Sequence, residues 1–156
     1  MTDRPPSVGN EMSESDARSL LDHSFTGVLS MAAGSQGYGL PMSYQYDREE
    51  NRIVVGFVNG PGSKKEAFVK AGAEVTMTVY NYEDVDVWES AVATGTLSPI
   101  NGNAIPEEFV PVFFTRDPES ADEKQWSDLD DWEREWYEIR VTDVSGRHSG
   151  RAPRRD

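Results

Sequence analysis

The sequence predicts an α+β domain, mainly antiparallel β, built on a barrel. Three observations carry that expectation. Strict alternation from Tyr38 to Tyr46 puts Tyr38, Leu40, Met42, Tyr44 and Tyr46 on one face of a strand, with Gly39, Pro41, Ser43 and Gln45 on the other. A continuous apolar run from Ile53 to Val58, broken only by Gly56, fits a strand buried on both sides, as in a small barrel. The helical patterns are few and short.

Taken in order, residues 1–12 are polar, contain Pro5 and Pro6, and predict a disordered lead-in. Ser13-Glu14-Ser15-Asp16 reads as a capping box opening a helix with Ala17, Leu20 and Leu21 on its apolar face. Phe25 to Met31 is the first strand, and Gly34-Ser35-Gln36-Gly37 the turn into the second. Pro41 inside that second strand implies an edge, a bulge or a break in the ladder. After a polar turn at Asp47–Asn51 comes the buried run, then a helix from Lys64 to Ala71 that ends at Gly72. Val75, Met77 and Val79 alternate with Thr76, Thr78 and Tyr80. A strand from Val85 to Leu97 follows, with a kink expected at Glu89-Ser90, where the alternation slips. Pro106 to Thr115 reads as a further helix, and Asp117 to Glu135 as an acidic, weakly patterned stretch. Trp136 to Val141 is the last strand. The resulting division is a domain over residues 13–143 and a flexible, arginine-bearing tail over 144–156.

Charge narrows the function classes. The chain has 28 acidic and 15 basic residues, a formal charge of −13, and only four lysines. Such a surface argues against nucleic acid, whose phosphates need basic contacts, and against anionic membranes. It resembles the acidic, lysine-poor surface of proteins that work in high salt, where self-repulsion is screened. No run approaches the length of a membrane span, and Met1 to Glu11 lacks the apolar core of a signal peptide, so a cytoplasmic location is expected. The absence of cysteine rules out disulfides and thiolate chemistry. His23 and His148 are the only histidines and lie far apart in sequence, so no transition-metal site is expected.

Against this background Lys64-Lys65 stands out. The pair follows Asn59-Gly60-Pro61-Gly62 and sits just after Ser63, a good N-cap. Two cations in a first helical turn oppose the macrodipole, at about 0.3–1 kcal/mol each. A bound anion reverses that sign, because free N–H groups and both ammonium groups would converge on it. The alternative is ordinary solvated surface. The spacing is not that of a Walker A loop.

Four segments, in order, resemble the flavin-binding split-barrel family related to pyridoxamine 5′-phosphate oxidase. They are Gly27-Val28-Leu29-Ser30-Met31, Pro41 to Asp47, Phe57-Val58-Asn59 with the turn into Gly62-Ser63-Lys64-Lys65, and Trp88-Glu89-Ser90 with Gly95. Tyr137 to Gly150 is also similar to a family ending. The resemblance implies a six-stranded split β-barrel with a few short helices, and a homodimer with FMN at its interface. It also implies that Ser63, Lys64 and Lys65 take the FMN phosphate. Pro41, Met42, Ser43 and Tyr44 would line the flavin ring or ribityl chain, Phe57 and Val58 would pass beneath it, and Ser90 would turn a hydroxyl toward it. The sequence departs from the vitamin-processing enzyme in carrying Gly39 and Tyr44 where that enzyme has basic residues, and in keeping only Trp136 and Arg140 of its basic last strand. Those departures argue against oxidation of pyridoxamine 5′-phosphate itself. The function implied is a flavin-dependent oxidoreductase acting on a small molecule, with NADH or NADPH as possible donors and no catalytic side chain assigned. The alternatives are a flavin carrier or sensor without turnover, or a related barrel that holds the deazaflavin F420 or haem.

Overall fold

A computed structural model describes residues 8–59, 72–101 and 133–150, with side chains at all of these except 58, 59, 133 and 134. The helices expected at 64–71 and 106–115, the acidic stretch up to Trp132 and the double lysine lie outside the described residues.

Ser13 caps the helix α1 (Glu14–His23): its Oγ accepts from the Asp16 amide at 3.1 Å, and Glu14 and Asp16 place negative charge at the positive end of the dipole. Ala17, Leu20 and Leu21 are fully buried, as the spacing predicts. The strands are β1 (Asn10–Glu11), β2 (Thr26–Ala33), β3 (Gln36–Ser43), β4 (Gln45–Asp47), β5 (Arg52–Asn59), β6 (Glu74–Asp84), β7 (Val87–Pro99) and β8 (Glu133–His148). Six of them are eight residues or longer, and β1 and β4 are short additions. All pairings are antiparallel, in the order β3-β2-β6-β7-β8-β5-β4, with β1 added to β8. The architecture is a split barrel.

The hydrogen-bonded path is open, yet its two ends belong to one stretch of chain. β3 ends the path beside β2, β4 ends it beside β5, and only Tyr44 separates them. Two residues span at most about 7 Å, so the sheet must curl until its edges meet there. The Tyr44 amide donates to Phe25 O at 2.9 Å at that corner. Pro41 lies on the edge strand β3, where a missing N–H costs least, and the ladder breaks three residues later.

The inner face is apolar apart from the buried Glu89. Leu29, Met42, Ile53, Val55, Phe57, Val75, Met77, Val79, Ala91, Ala93, Leu97 and Ile139 belong to one core cluster. Ile53, Val54 and Val55 are all fully buried, which is the continuous run seen from both sides. Ion pairs tie three strands at one edge of this core: Arg52 reaches Asp47 at 3.1 Å and Glu138 at 3.0 Å, and Arg140 reaches Glu138 at 3.0 Å.

Three expectations need correction. β7 does not kink at Glu89-Ser90. Its alternation runs unbroken from Glu89 to Leu97, and the irregularities fall at Tyr82/Asp84 and Thr94/Gly95. The apparent slip arose because Glu89 is a charged residue on the inner face, fully buried, with Asn81 Nδ2 3.2 Å from its carboxylate. The last strand is 16 residues long rather than the six from Trp136 to Val141, and residues 144–148 pair with β7 instead of leaving the sheet. Its outward residues are polar and its register shifts opposite Thr94/Gly95, so a strict two-residue pattern fades after Val141. Asn10 and Glu11, placed in the lead-in by the sequence, pair with His148 and Arg147.

Candidate functional site

Cross-strand partners point to the same face of a sheet, so the register fixes which side chains share the outer surface. Pro41 pairs with Val28, Val28 with Thr78, Thr78 with Val92, and Val92 with Ser145. These five residues form one row across β3, β2, β6, β7 and β8. A second row lies one step along: Ser43 opposite Thr26, and Tyr80 opposite Ser90, which pairs with Arg147.

The β2–β6 ladder covers only Val28 to Ser30, so the sheet parts between Thr26 and Tyr80. A groove of about 360 Å³ opens there, lined by Thr26, Gly27, Val28, Pro41 and Tyr80. Gly27 makes the close approach possible, since a Cβ on it would stand 2.7 Å from Thr78 O. On the other side of the Tyr80–Ser90 pair, a larger groove of about 550 Å³ includes Ser90, Val92, Met12, Glu14 and Arg147. Both volumes fall within the roughly 300–1,000 Å³ range of small-molecule sites. The two grooves offer hydroxyls from Thr26, Tyr80, Ser90 and Ser145 beside the apolar Val28, Val92 and Pro41. Such a surface suits a flat, partly polar ligand held by hydrogen bonds at its rim.

The sequence-predicted residues divide between this surface and the core. Pro41 and Ser90 share the outer face, and Ser43 is on it but only 8% exposed. Met42, Tyr44 and Phe57 point inward and are at most 4% exposed, so what they offer a ligand is backbone. Phe57 packs edge-to-face on Tyr137, with ring centroids 5.4 Å apart. The Tyr44 hydroxyl donates to Leu21 O at 2.6 Å, and burial pushes its pKa well above the ordinary tyrosine value. Val58 pairs with Arg134 along the β5–β8 ladder. Ser63, Lys64 and Lys65 lie outside the described residues, between the end of β5 at Asn59 and Gly72, whose amide bonds Leu97 O at 2.7 Å.

Thr26, Val28, Thr78 and Tyr80 were not singled out from sequence. Alternation marks Thr78 and Tyr80 as facing away from Met77 and Val79, but strand order is needed to set them beside Pro41 and Ser90. Among the described residues no group of three or more His, Asp or Glu side chains could hold a metal ion. No described helix is long and apolar enough to cross a membrane.

Comparison with known proteins places the chain. The family model described as pyridoxamine 5′-phosphate oxidase matches residues 13–148. No curated protein matches the sequence. Among solved structures, a FAD-binding protein from Mesorhizobium loti is 20% identical, with a TM-score of 0.62 over 92% of this chain and 99% of that one. A putative pyridoxamine 5′-phosphate oxidase from Corynebacterium glutamicum is 12% identical, with a TM-score of 0.62 over 98% and 100% of the two chains. The FAD and heme binding protein from Mycobacterium smegmatis is 15% identical, with a TM-score of 0.56 over 92% of this chain and 75% of that one. At these identities the likeness is one of fold.

Proposed function

The chain belongs to the pyridoxamine 5′-phosphate oxidase family, and on that premise we propose that it binds FMN and acts as a flavin-dependent oxidoreductase on a small molecule. The observation that carries this reading is the outer-face register that sets Pro41 and Ser90 on one surface, with a groove on either side of the Tyr80–Ser90 pair. The hydroxyls of Thr26, Tyr80 and Ser90 would hold the polar edge of the ring, and Val28 and Val92 would lie under its apolar part. A bound flavin supplies two-electron chemistry, and the chain supplies position and electrostatics.

Ser63, Lys64 and Lys65 would take the phosphate. A phosphate monoester carries nearly two negative charges at neutral pH, which two ammonium groups match. FMN gathers both charges on one terminal phosphate, whereas FAD spreads two charges over the two phosphates of its pyrophosphate. The single doubly charged group is what suits a paired-lysine site, and this favours FMN over FAD. The second reading, FAD, is supported by the names of the Mesorhizobium and Mycobacterium proteins. A second copy of the chain would complete the site. In support of that pairing, Tyr80, which lines the smaller groove, is 66% exposed, and Phe25, next in sequence to its Thr26, is 75% exposed. Oxidation of pyridoxamine 5′-phosphate is not proposed, because Gly39 has no side chain to offer and the Tyr44 hydroxyl is committed inward.

The test is the purified protein itself. We expect a yellow chain that releases FMN on denaturation, identified by mass, and that bleaches under NADH or NADPH without oxygen. Release of FAD would replace FMN as the cofactor, and a flavin that neither nucleotide reduces would favour the carrier. A colourless protein that fails to quench added FMN or FAD ends the flavin reading.

A further inference from the structure

Arginines in this acidic chain are paired, with one exception among the described residues. Arg18 meets Glu14, Arg48 meets Asp22, Arg52 meets Asp47 and Glu138, and Arg140 meets Glu138. Among the described residues Arg147 has no ion-pair partner, in a chain with 28 acidic residues. Glu11 stands directly across the β1–β8 ladder from it, yet the two side chains form no ion pair. The guanidinium is anchored on a neutral group instead, Nη1 donating to Val8 O at 3.2 Å.

An exposed arginine is often just solvated surface, and what sets this one apart is its place. Arg147 lines the larger groove, of about 550 Å³, and among the described residues no other cation lines either groove. The register puts Ser90 opposite Arg147 and Val92 opposite Ser145, so these four share the outer face in a patch about 7 Å on a side. Met12 adds an apolar wall, held where its amide donates to Gly146 O at 2.8 Å. Among the described residues the Ser145 hydroxyl has no hydrogen-bond partner, so it is free to donate. Of the two carboxylates in the groove, Glu14 is already committed, its Oε1 accepting from Arg18 Nε at 3.2 Å and from Nη2 at 2.8 Å. Glu11 is exposed and continues the row beyond Arg147.

We propose that the larger groove binds a small monocarboxylate, with Arg147 pairing to its carboxylate, Ser145 donating to one oxygen, and Met12 against its apolar body. The planar fork of a guanidinium fits carboxylate and phosphate alike. Glu11 decides between them. The second negative charge of a phosphate monoester would face Glu11 with no further cation to meet it, whereas a carboxylate carries only the one charge that Arg147 matches. The hydrogen bond to Val8 O already restrains the guanidinium, so less side-chain freedom is lost when the anion arrives. From Arg147 the ligand's body points back across the ladder toward Ser90 and Val92. Its identity as the redox substrate, abutting a flavin held there, rests on the flavin reading; the binding site itself does not.

The test is titration of the nitrogen-15-labelled full chain with benzoate, its neutral isostere benzamide, and phenyl phosphate, followed on the backbone amides of Met12, Ser145 and Arg147. Benzoate should shift these amides saturably and bind about tenfold or more tightly than benzamide, the worth of one charge-assisted pair. It should also bind more tightly than phenyl phosphate. Arg147→Met keeps the aliphatic stem and removes the charge, so benzoate should weaken about tenfold or more while benzamide is unchanged. Glu11→Gln should narrow the gap between benzoate and phenyl phosphate. Equal affinity for benzoate and benzamide, no saturable shift with benzoate, or unchanged benzoate affinity in Arg147→Met would overturn the proposal. Tighter binding of phenyl phosphate, or a gap that Glu11→Gln leaves unchanged, would overturn the preference for a monocarboxylate. Should Arg147→Met not fold, the contrast between benzoate and benzamide in the unaltered protein still decides. The readout needs no flavin, so failure here leaves the flavin reading standing, and a colourless protein leaves this site standing.

Discussion

The Tyr44 hydroxyl donates a 2.6 Å hydrogen bond to the carbonyl oxygen of Leu21, and both side chains are buried. One bond thereby joins the last turn of α1 to the residue where the strand breaks between β3 and β4. Without Tyr44 at that point the two edges of the sheet would lose the anchor that brings them together.

Tyr44→Phe keeps the ring and removes the donor, leaving Leu21 O without this partner. We expect a loss of about 1–3 kcal/mol in denaturant unfolding, the cost of a stranded buried acceptor. The pH dependence follows from the raised pKa of the buried phenol. A group whose folded pKa lies above its unfolded value contributes stability that is complete below the ordinary tyrosine value of about 10 and is lost as pH rises past it. The wild type should therefore lose more stability than Tyr44→Phe on going from neutral pH to strongly alkaline buffer. Parallel curves for the two proteins would contradict this account.

Gly56 and Trp136 make a second close pair. They are cross-strand partners in β5 and β8, and a Cβ on Gly56 would stand 2.8 Å from Cζ3 of the indole. Gly56→Ala should destabilise by about 1–3 kcal/mol through overpacking, although alanine is otherwise no worse than glycine in a strand. In a Trp136→Leu background the same change should cost less, because the crowding ring has gone. A double-mutant cycle with no coupling would show that the ring yields freely.

How much of this was legible in the sequence depended on which faces are apolar. The inner residues of β3, β5 and β6 were read correctly because Met42, Ile53 and Met77 sit in plain alternation or in a continuous run. The same logic failed at Glu89, where a buried carboxylate occupies an inward position and mimics a change of face. It stopped short in β8, where residues 144–148 are held by pairing to β7 more than by their own hydrophobicity. For the candidate site, Pro41 and Ser90 were named from a resemblance. Their neighbours Thr26 and Tyr80 were not, because adjacency of β2 to β6 is a property of topology and leaves no local pattern.

The charge of −13 makes a prediction about salt. Screening over a Debye length of about 10 Å at 0.1 M, shorter at higher salt, weakens repulsion among the exposed acidic residues. The Arg52–Glu138 pair, with side chains 15% and 8% exposed, is shielded from the solvent ions that would weaken it. Stability should therefore rise from low to molar salt, read as an increase in Tm. A Tm that falls over that range would mean that attractive surface pairs outweigh the net repulsion.

The phosphate clamp gives the sharpest prediction about function. If Lys64 and Lys65 hold the FMN phosphate at a helix start, replacing both with alanine removes two charge-assisted contacts. Each contributes roughly 1.5–3 kcal/mol, so FMN affinity should weaken by about a hundredfold or more. The apoprotein should lose no stability, since the change removes cations from the positive end of a helix dipole. Riboflavin, which lacks the phosphate, should bind both proteins equally, because the hydroxyls of Thr26, Tyr80 and Ser90 are untouched. Titrating apoprotein with FMN and with riboflavin by fluorescence quenching separates the contributions. Unchanged FMN affinity in the double variant would return the lysines to ordinary solvated surface, and equal losses for both flavins would mean that the substitution had disturbed the ring site rather than removed a phosphate contact.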